Sequence, residues 1–159
     1  MDFALPKDIQ FAGIIFKPAG GDVTGAAPYI ATLKGAHKAY IVCLITQGNA
    51  ATTALTPLQA SSVSGATKAL TAVARIWSCL DYATTDALVA RTAAVAYTLD
   101  AATKTKIVIF EIDPLINLDQ ANNYDCITLD TSGSNAANVV SASLWIVPRY
   151  NPPGSVIAN

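Results

Sequence analysis

His37 is the only histidine in the chain, and with the cysteines it has the most capacity for nucleophilic chemistry. A histidine activates a serine or cysteine only within hydrogen-bond reach, with a third group orienting its ring. Cys43 follows six residues later in the run HKAYIVCLIT, on the same face of an expected strand. At about 3.3 Å per residue the two side chains stand about 20 Å apart, too far for proton transfer. No G-x-S-x-G accompanies them. His37 is therefore expected at a surface or interface.

The acids offer a second chemistry. Asp113, Asp119, Asp125 and Asp130 cluster around the 114–123 segment, and Glu111 is the single glutamate. Paired carboxylates serve glycosidases, and spaced ones serve calcium loops, but this spacing matches no calcium loop. Asp113-Pro114 and Asp130-Thr131 read instead as turn starters. The cysteines Cys43, Cys79 and Cys126 are odd in number, far apart and set among apolar residues. They lack the Cys/His spacing of a metal site and are expected as small buried thiols. Phosphate-cradling and zinc-protease motifs are absent as well. No catalytic residue, metal or cofactor is assigned, and the chain is not read as an enzyme.

Trp77 and Trp145 fall mid-strand and are expected as core or interface anchors. Tyr82, Tyr150, and Tyr124 with Asn122 and Asn123 are the candidates for stacking on a sugar.

The elements that must carry these residues are almost wholly β. Runs such as FAGIIFKP (11–18), HKAYIVCLIT (37–46), LTAVARIWSCL (70–80) and TKIVIFEID (105–113) are rich in β-branched and aromatic residues. The last is expected at a central sheet position. ATTALTPLQA (51–60) alternates, with Pro57 pointing to an edge or bulge. SSVSGATKA is expected as loop, and TDALVARTA with AVAYTLD as two short strands or one hairpin. PLINLDQANN opens with a proline suited to a single helical turn. YDCITLDT and NVVSASLWIVPRY complete the set. The fold class is all-β: one domain over 1–159, a β-sandwich or jelly roll of about eight strands, with an arm at 1–10 and a tail at 151–159.

One phrase occurs twice. QGNAA (47–51) and GSNAA (133–137) both set Asn-Ala-Ala after a glycine and an apolar run. Both are expected as hairpin turns, with Gly48 and Gly133 supplying unusual backbone angles and Asn49 and Asn135 taking the left-handed region.

Composition narrows the function. Charged residues make up 13% of the chain, about half the share of a typical soluble domain. Mean hydropathy is +0.39. The net charge of −1 and the scattered lysines leave no footprint for nucleic acid. A membrane helix needs about 20 apolar residues, whereas the longest apolar run here is 39–45. The N-terminal residues lack the basic start and apolar core of a secretory signal. The expectation is a chain kept in a cytoplasm, away from membranes, whose uncharged surface is buried against partner subunits.

Three strings, ITQGNAATTALTPLQAS, ARIWSCLDYATTDALVARTAAVAYTLDAATKTKIVIFEIDP and NNYDCITLDTSGSNAANVVSASLWIVPRY, carry a resemblance over roughly residues 40–150. They resemble small structural proteins of tailed bacteriophages. The resemblance implies a virion component, a capsid decoration (cement) or minor head protein, assembled in the host cytoplasm. Its partners would be the major capsid protein or other virion proteins, and further copies of itself as a homo-oligomer. It brings no catalytic residues. Phe3 and Leu5 in the arm, and Pro152, Pro153, Val156 and Ile157 in the tail, are the candidate assembly contacts. Two alternatives stand beside it: a tail, neck or fibre-base component, and a jelly-roll glycan-binding module.

Overall fold

Residues 8–16, 29–133 and 135–150 are described by a computed structural model. The strands are β1 (Gln10–Phe16), β2 (Ala31–Thr32), β3 (Ala36–Gln47), β4 (Thr53–Ala60), β5 (Thr67–Ala69) and β6 (Ala74–Cys79). They continue with β7 (Val89–Ala94), β8 (Tyr97–Thr98), β9 (Thr105–Ile112), β10 (Cys126–Gly133) and β11 (Asn138–Pro148). A single helical turn, α1 (Pro114–Asn117), follows β9. Its N-cap is Asp113, whose side chain accepts a hydrogen bond from the Leu115 amide.

The strands pair in a nested order: β1 with β11, β2 with β10, β3 with β9 and β4 with β8, all antiparallel. That is one eight-stranded ribbon folded back on itself. Further pairings of β11 with β3 and β10 with β4 close it into two sheets. One sheet runs β1-β11-β3-β9-β6-β7, and the other β2-β10-β4-β5 with β8 also on β4. The protein is an all-β sandwich of jelly-roll topology. Strands β5, β6 and β7 are an insertion at the tip of the ribbon, between β4 and β8.

The two-residue period of a strand builds the core. Ala39, Ile41, Cys43 and Ile45 of β3, Val108, Phe110 and Ile112 of β9, and Val140, Ala142, Leu144 and Ile146 of β11 all point inward. They meet Leu55 of β4 and Ile127 and Leu129 of β10 from the opposite sheet. The central position expected for 105–113 is found, since β9 lies between β3 and β6.

Several local expectations are corrected. The chain at 67–69 is a strand, not loop, because it pairs with the free side of β4 at Leu58–Ala60. Of the two readings of 85–98, two short strands is the one found, because β7 and β8 belong to different sheets and form no hairpin. The strand expected over 70–80 begins only at Ala74. Residues 71–73 are instead tied to α1: the Thr71 amide donates to Asn117 O, and Asn117 Nδ2 donates to Ala72 O and Val73 O. Pro57 lies on an interior strand, but between the stretches of β4 that pair with β8 and with β5. There its missing N–H costs no ladder bond. Gln10, expected as the last residue of an arm, is instead the buried first residue of β1, and 1–7 lie outside the described residues.

Candidate functional site

His37 and Cys43 do not share a face. The ladder between β3 and β11 slips where Val147 pairs with Lys38 and Pro148 with Ala36, so His37 is the bulged, solvent-facing residue. Cys43 lies in the core, where burial pushes its thiol far above the ordinary range. Burial also raises the Cys126 thiol, to about 11. Cys79 is buried as well, its Sγ donating to Thr85 O at 3.1 Å.

The acids hold turns together. Asp113 caps α1. Asp119 accepts from Lys68 at 2.6 Å and from Asn122, and Asp125 meets Lys34 at 3.3 Å. The Lys68 hydrogen bond holds the Asp119 carboxyl below the usual carboxylate range. Asp130 is exposed. No three metal-ligating side chains converge among the described residues. The tyrosines are dispersed as well. Lys68 Nζ lies 3.9 Å from the Tyr124 ring centroid, covering one face of the ring. The Tyr82 amide bonds Thr105 O at the start of β9, whereas Tyr150 follows Arg149, which bonds Gly35 O beside the start of β3. Antiparallel pairing of β3 with β9 puts those two points at opposite ends of the sheet.

The two Asn-Ala-Ala segments are not hairpin turns. The first joins β3 to β4 and the second β10 to β11, so each carries the chain from one sheet to the other. They lie side by side and bond to each other. The Gly48 amide donates to Ala137 O at 3.1 Å, and the Asn49 amide donates to Asn138 Oδ1 at 2.8 Å. Asn138 Nδ2 returns a bond to Ala51 O at 2.9 Å. Neither Gly48 nor Asn49 takes the left-handed region. Gly48 is needed for space: a Cβ there would stand 2.7 Å from Ala137 O. Behind the turns, Lys106 is fully buried, donating to Gln47 Oε1 at 2.7 Å and to Asp100 Oδ1 at 2.5 Å.

Among the described residues, clefts on the surface gather charged side chains at two places. One of about 400 Å³ at the β6–β7 edge is lined by Ser78, Asp81, Arg91, Asp100 and Lys104. Arg91 Nε is turned onto Ser78 Oγ at 2.7 Å, and Lys104 onto Asp81 at 2.6 Å. The other, about 130 Å³, contains Glu111 with Lys38 and Arg75 around it. In both, the charged groups named are engaged with neighbouring side chains rather than aimed at a common point.

Among the described residues, nothing packs over the outer face of the six-stranded sheet. The register aligns Ile14, Ser143, Val42, Ile109, Trp77 and Ala90 in one row across all six strands. The adjoining row holds Phe11, Trp145, Tyr40, Glu111 and Arg75, and the row on the other side Ser141, Leu44 and Ile107. Phe11, Ile14 and Leu44 are each about half exposed, at 52%, 52% and 51%. Phe11 and Trp145 meet edge to face, with centroids 5.3 Å apart. Trp77 and Trp145 are thus on this face and half-buried, not in the core. Sequence reasoning assigned the Trp pair to core or interface without separating the two, and did not single out Val42, Leu44, Ile107 and Ile109. The signal was there: in YIVCLI and KIVIF both alternate positions are apolar, the pattern of a strand covered on both faces. The candidate contacts Phe3, Leu5, Pro152, Pro153, Val156 and Ile157 lie outside the described residues. Comparison of the chain with family models, curated proteins and solved structures finds no match.

Proposed function

We propose that this chain is a structural subunit of a tailed-bacteriophage virion, a capsid decoration or minor head protein assembled in the host cytoplasm. Its work is to bury sheet surface against neighbouring subunits, the major capsid protein or other virion proteins among them. The observation that carries this reading is the aromatic and aliphatic outer face of the six-stranded sheet, on a chain with only 13% charged residues. A face with two Trp, a Tyr and a Phe has the composition of an interface centre. Jelly rolls serve viral shells as well as lectins, an analogy at the level of fold alone. The glycan-binding alternative is the weaker one, because Tyr82, Tyr124 and Tyr150 do not converge.

Quantitative mass spectrometry of density-purified particles from the source lysate tests the proposal. On the order of hundreds of copies per particle is the expected result, and about a dozen assigns the chain to a closed ring at the neck, tail or fibre base. Absence from particles overturns the virion reading.

A further inference from the structure

We infer that two copies of this chain pair face to face through the outer surface of the six-stranded sheet, about a two-fold axis running across the strands. This rests on reading that surface as an assembly face and names its occupant. The rows of side chains run along the strands in a fixed order. The charged groups Lys38, Glu111 and Arg75 gather at one end, where Glu111 contacts both cations. The middle two rows hold Val42, Ile109, Trp77, Leu44 and Ile107 with Ser141 and Ser143. The far row is Val139, Thr46 and Thr105, apolar or uncharged.

A two-fold axis between the middle rows lays the charged row of one copy over the uncharged row of the other. No like charges meet, and Glu111 keeps its own cations at the rim of the contact. An axis along the strands would instead stack the charged ends and desolvate them together. The middle rows then meet as Val and Ile against Leu and Ile, which requires no opposite field from a partner of different sequence. Two sheets packed this way lie about 10 Å apart, crossing at about 30°, the geometry the protein already uses inside its own sandwich.

The size is adequate. The residues named in these four rows, on strands about 4.8 Å apart and in rows about 6.6 Å apart, together cover roughly 500 Å² per copy, or about 1,000 Å² per pair. A specific interface starts at about that value. The aromatic anchors Trp145, Tyr40 and Phe11 add the large, rigid surfaces on which such contacts depend.

The experiment is sedimentation of the purified chain from about 1 to 100 µM, followed also by tryptophan emission. Trp77 and Trp145 are the only tryptophans, so all of the emission reports on this face. The parent chain is expected to dimerise, with emission shifting to the red on dilution. Leu44→Glu and Val42→Lys, both outward on β3, are expected to weaken the dimer at least 100-fold while keeping the β-sheet circular dichroism. Val63→Glu, in the exposed loop after β4, is expected to leave it unchanged. A parent chain monomeric at about 100 µM, or a dimer indifferent to both β3 substitutions, overturns the inference. The two readings fail separately. A monomer that binds isolated virion shells, and loses that binding on Leu44→Glu, removes the two-fold pairing but keeps the assembly role. A dimer lost on Leu44→Glu but absent from particles removes the virion and keeps the pairing.

Discussion

Lys106 is buried without solvent contact, and its ammonium is held by Gln47 and by Asp100, a residue whose side chain is 49% exposed. The hydrogen bond from Lys106 holds the Asp100 carboxyl below its ordinary value. Lys104 does the same for Asp81, and Lys68 for Asp119. A carboxylate depressed in the folded state contributes stability above its unfolded value of about 4, and loses it as pH falls through the lower folded value. The melting midpoint is therefore expected to be level from about pH 7 to 5 and to drop below about pH 4. Asp100→Asn should make that acid limb shallower. Because Asp100 is half exposed, its share is about 1 kcal/mol or less. Thermal melts of the two proteins across pH 2–7 check this, and superimposable acid limbs would sink the assignment. Thr53 is the converse case: its buried Oγ1 has no hydrogen-bond partner among the described residues. A lone hydroxyl in an apolar place is costly. Thr53→Val, of nearly the same shape, is expected to stabilise the fold by about 1 kcal/mol in urea unfolding.

At the scale of elements, the paired turns behave as one joint. Gly48→Ala drives a methyl into Ala137 O and separates the Gly48 and Asn49 amides from their acceptors. The expected loss is about 2 kcal/mol, read as a lower denaturant midpoint with unchanged slope. The repeated phrase was legible as construction, because nothing around it could do chemistry. What it constructs was not legible. A two-residue period states which side chains share a face and is silent on which sheet a strand joins, so sheet-crossing turns read as hairpins. The same limit hid the nested pairing, since the partner of β1 lies more than a hundred residues away. Where a local rule operated, the sequence was a good guide. Pro114 with Asp113 marked the helical turn, and the apolar run of β9 marked a central strand. The bulge at His37 escaped, because a slip in register depends on Pro148 of the facing strand.

For the whole molecule, the low charge has a location. Among the exposed apolar residues, Phe11, Ile14, Leu44 and Val139 share the outer face of one sheet, whereas others, Leu115 and Ile116 of α1 among them, stand on turns and loops. The ion pairs Lys34–Asp125, Lys68–Asp119 and Lys104–Asp81 lie around the ends and edges. Assembly is then expected to depend on the sheet face first and on the chain ends second. Removing residues 151–159, which include Pro152, Pro153, Val156 and Ile157, should leave the melting midpoint unchanged and weaken attachment to particles. Binding of the truncated chain to isolated shells, measured against the parent, checks this, and equal binding removes the tail from the contact.

The nested ribbon also orders events in time. Of the described strands β1 is made first and β11 last, yet β11 lies between β1 and β3. During synthesis the first strand therefore waits for the last, and the large sheet cannot close until β11 has left the ribosome. With so many distant pairings, folding on the millisecond-to-second scale is expected. Throughout that wait β1 and β3 expose unfilled edges beside apolar side chains, and newly made chains are then most prone to capture one another.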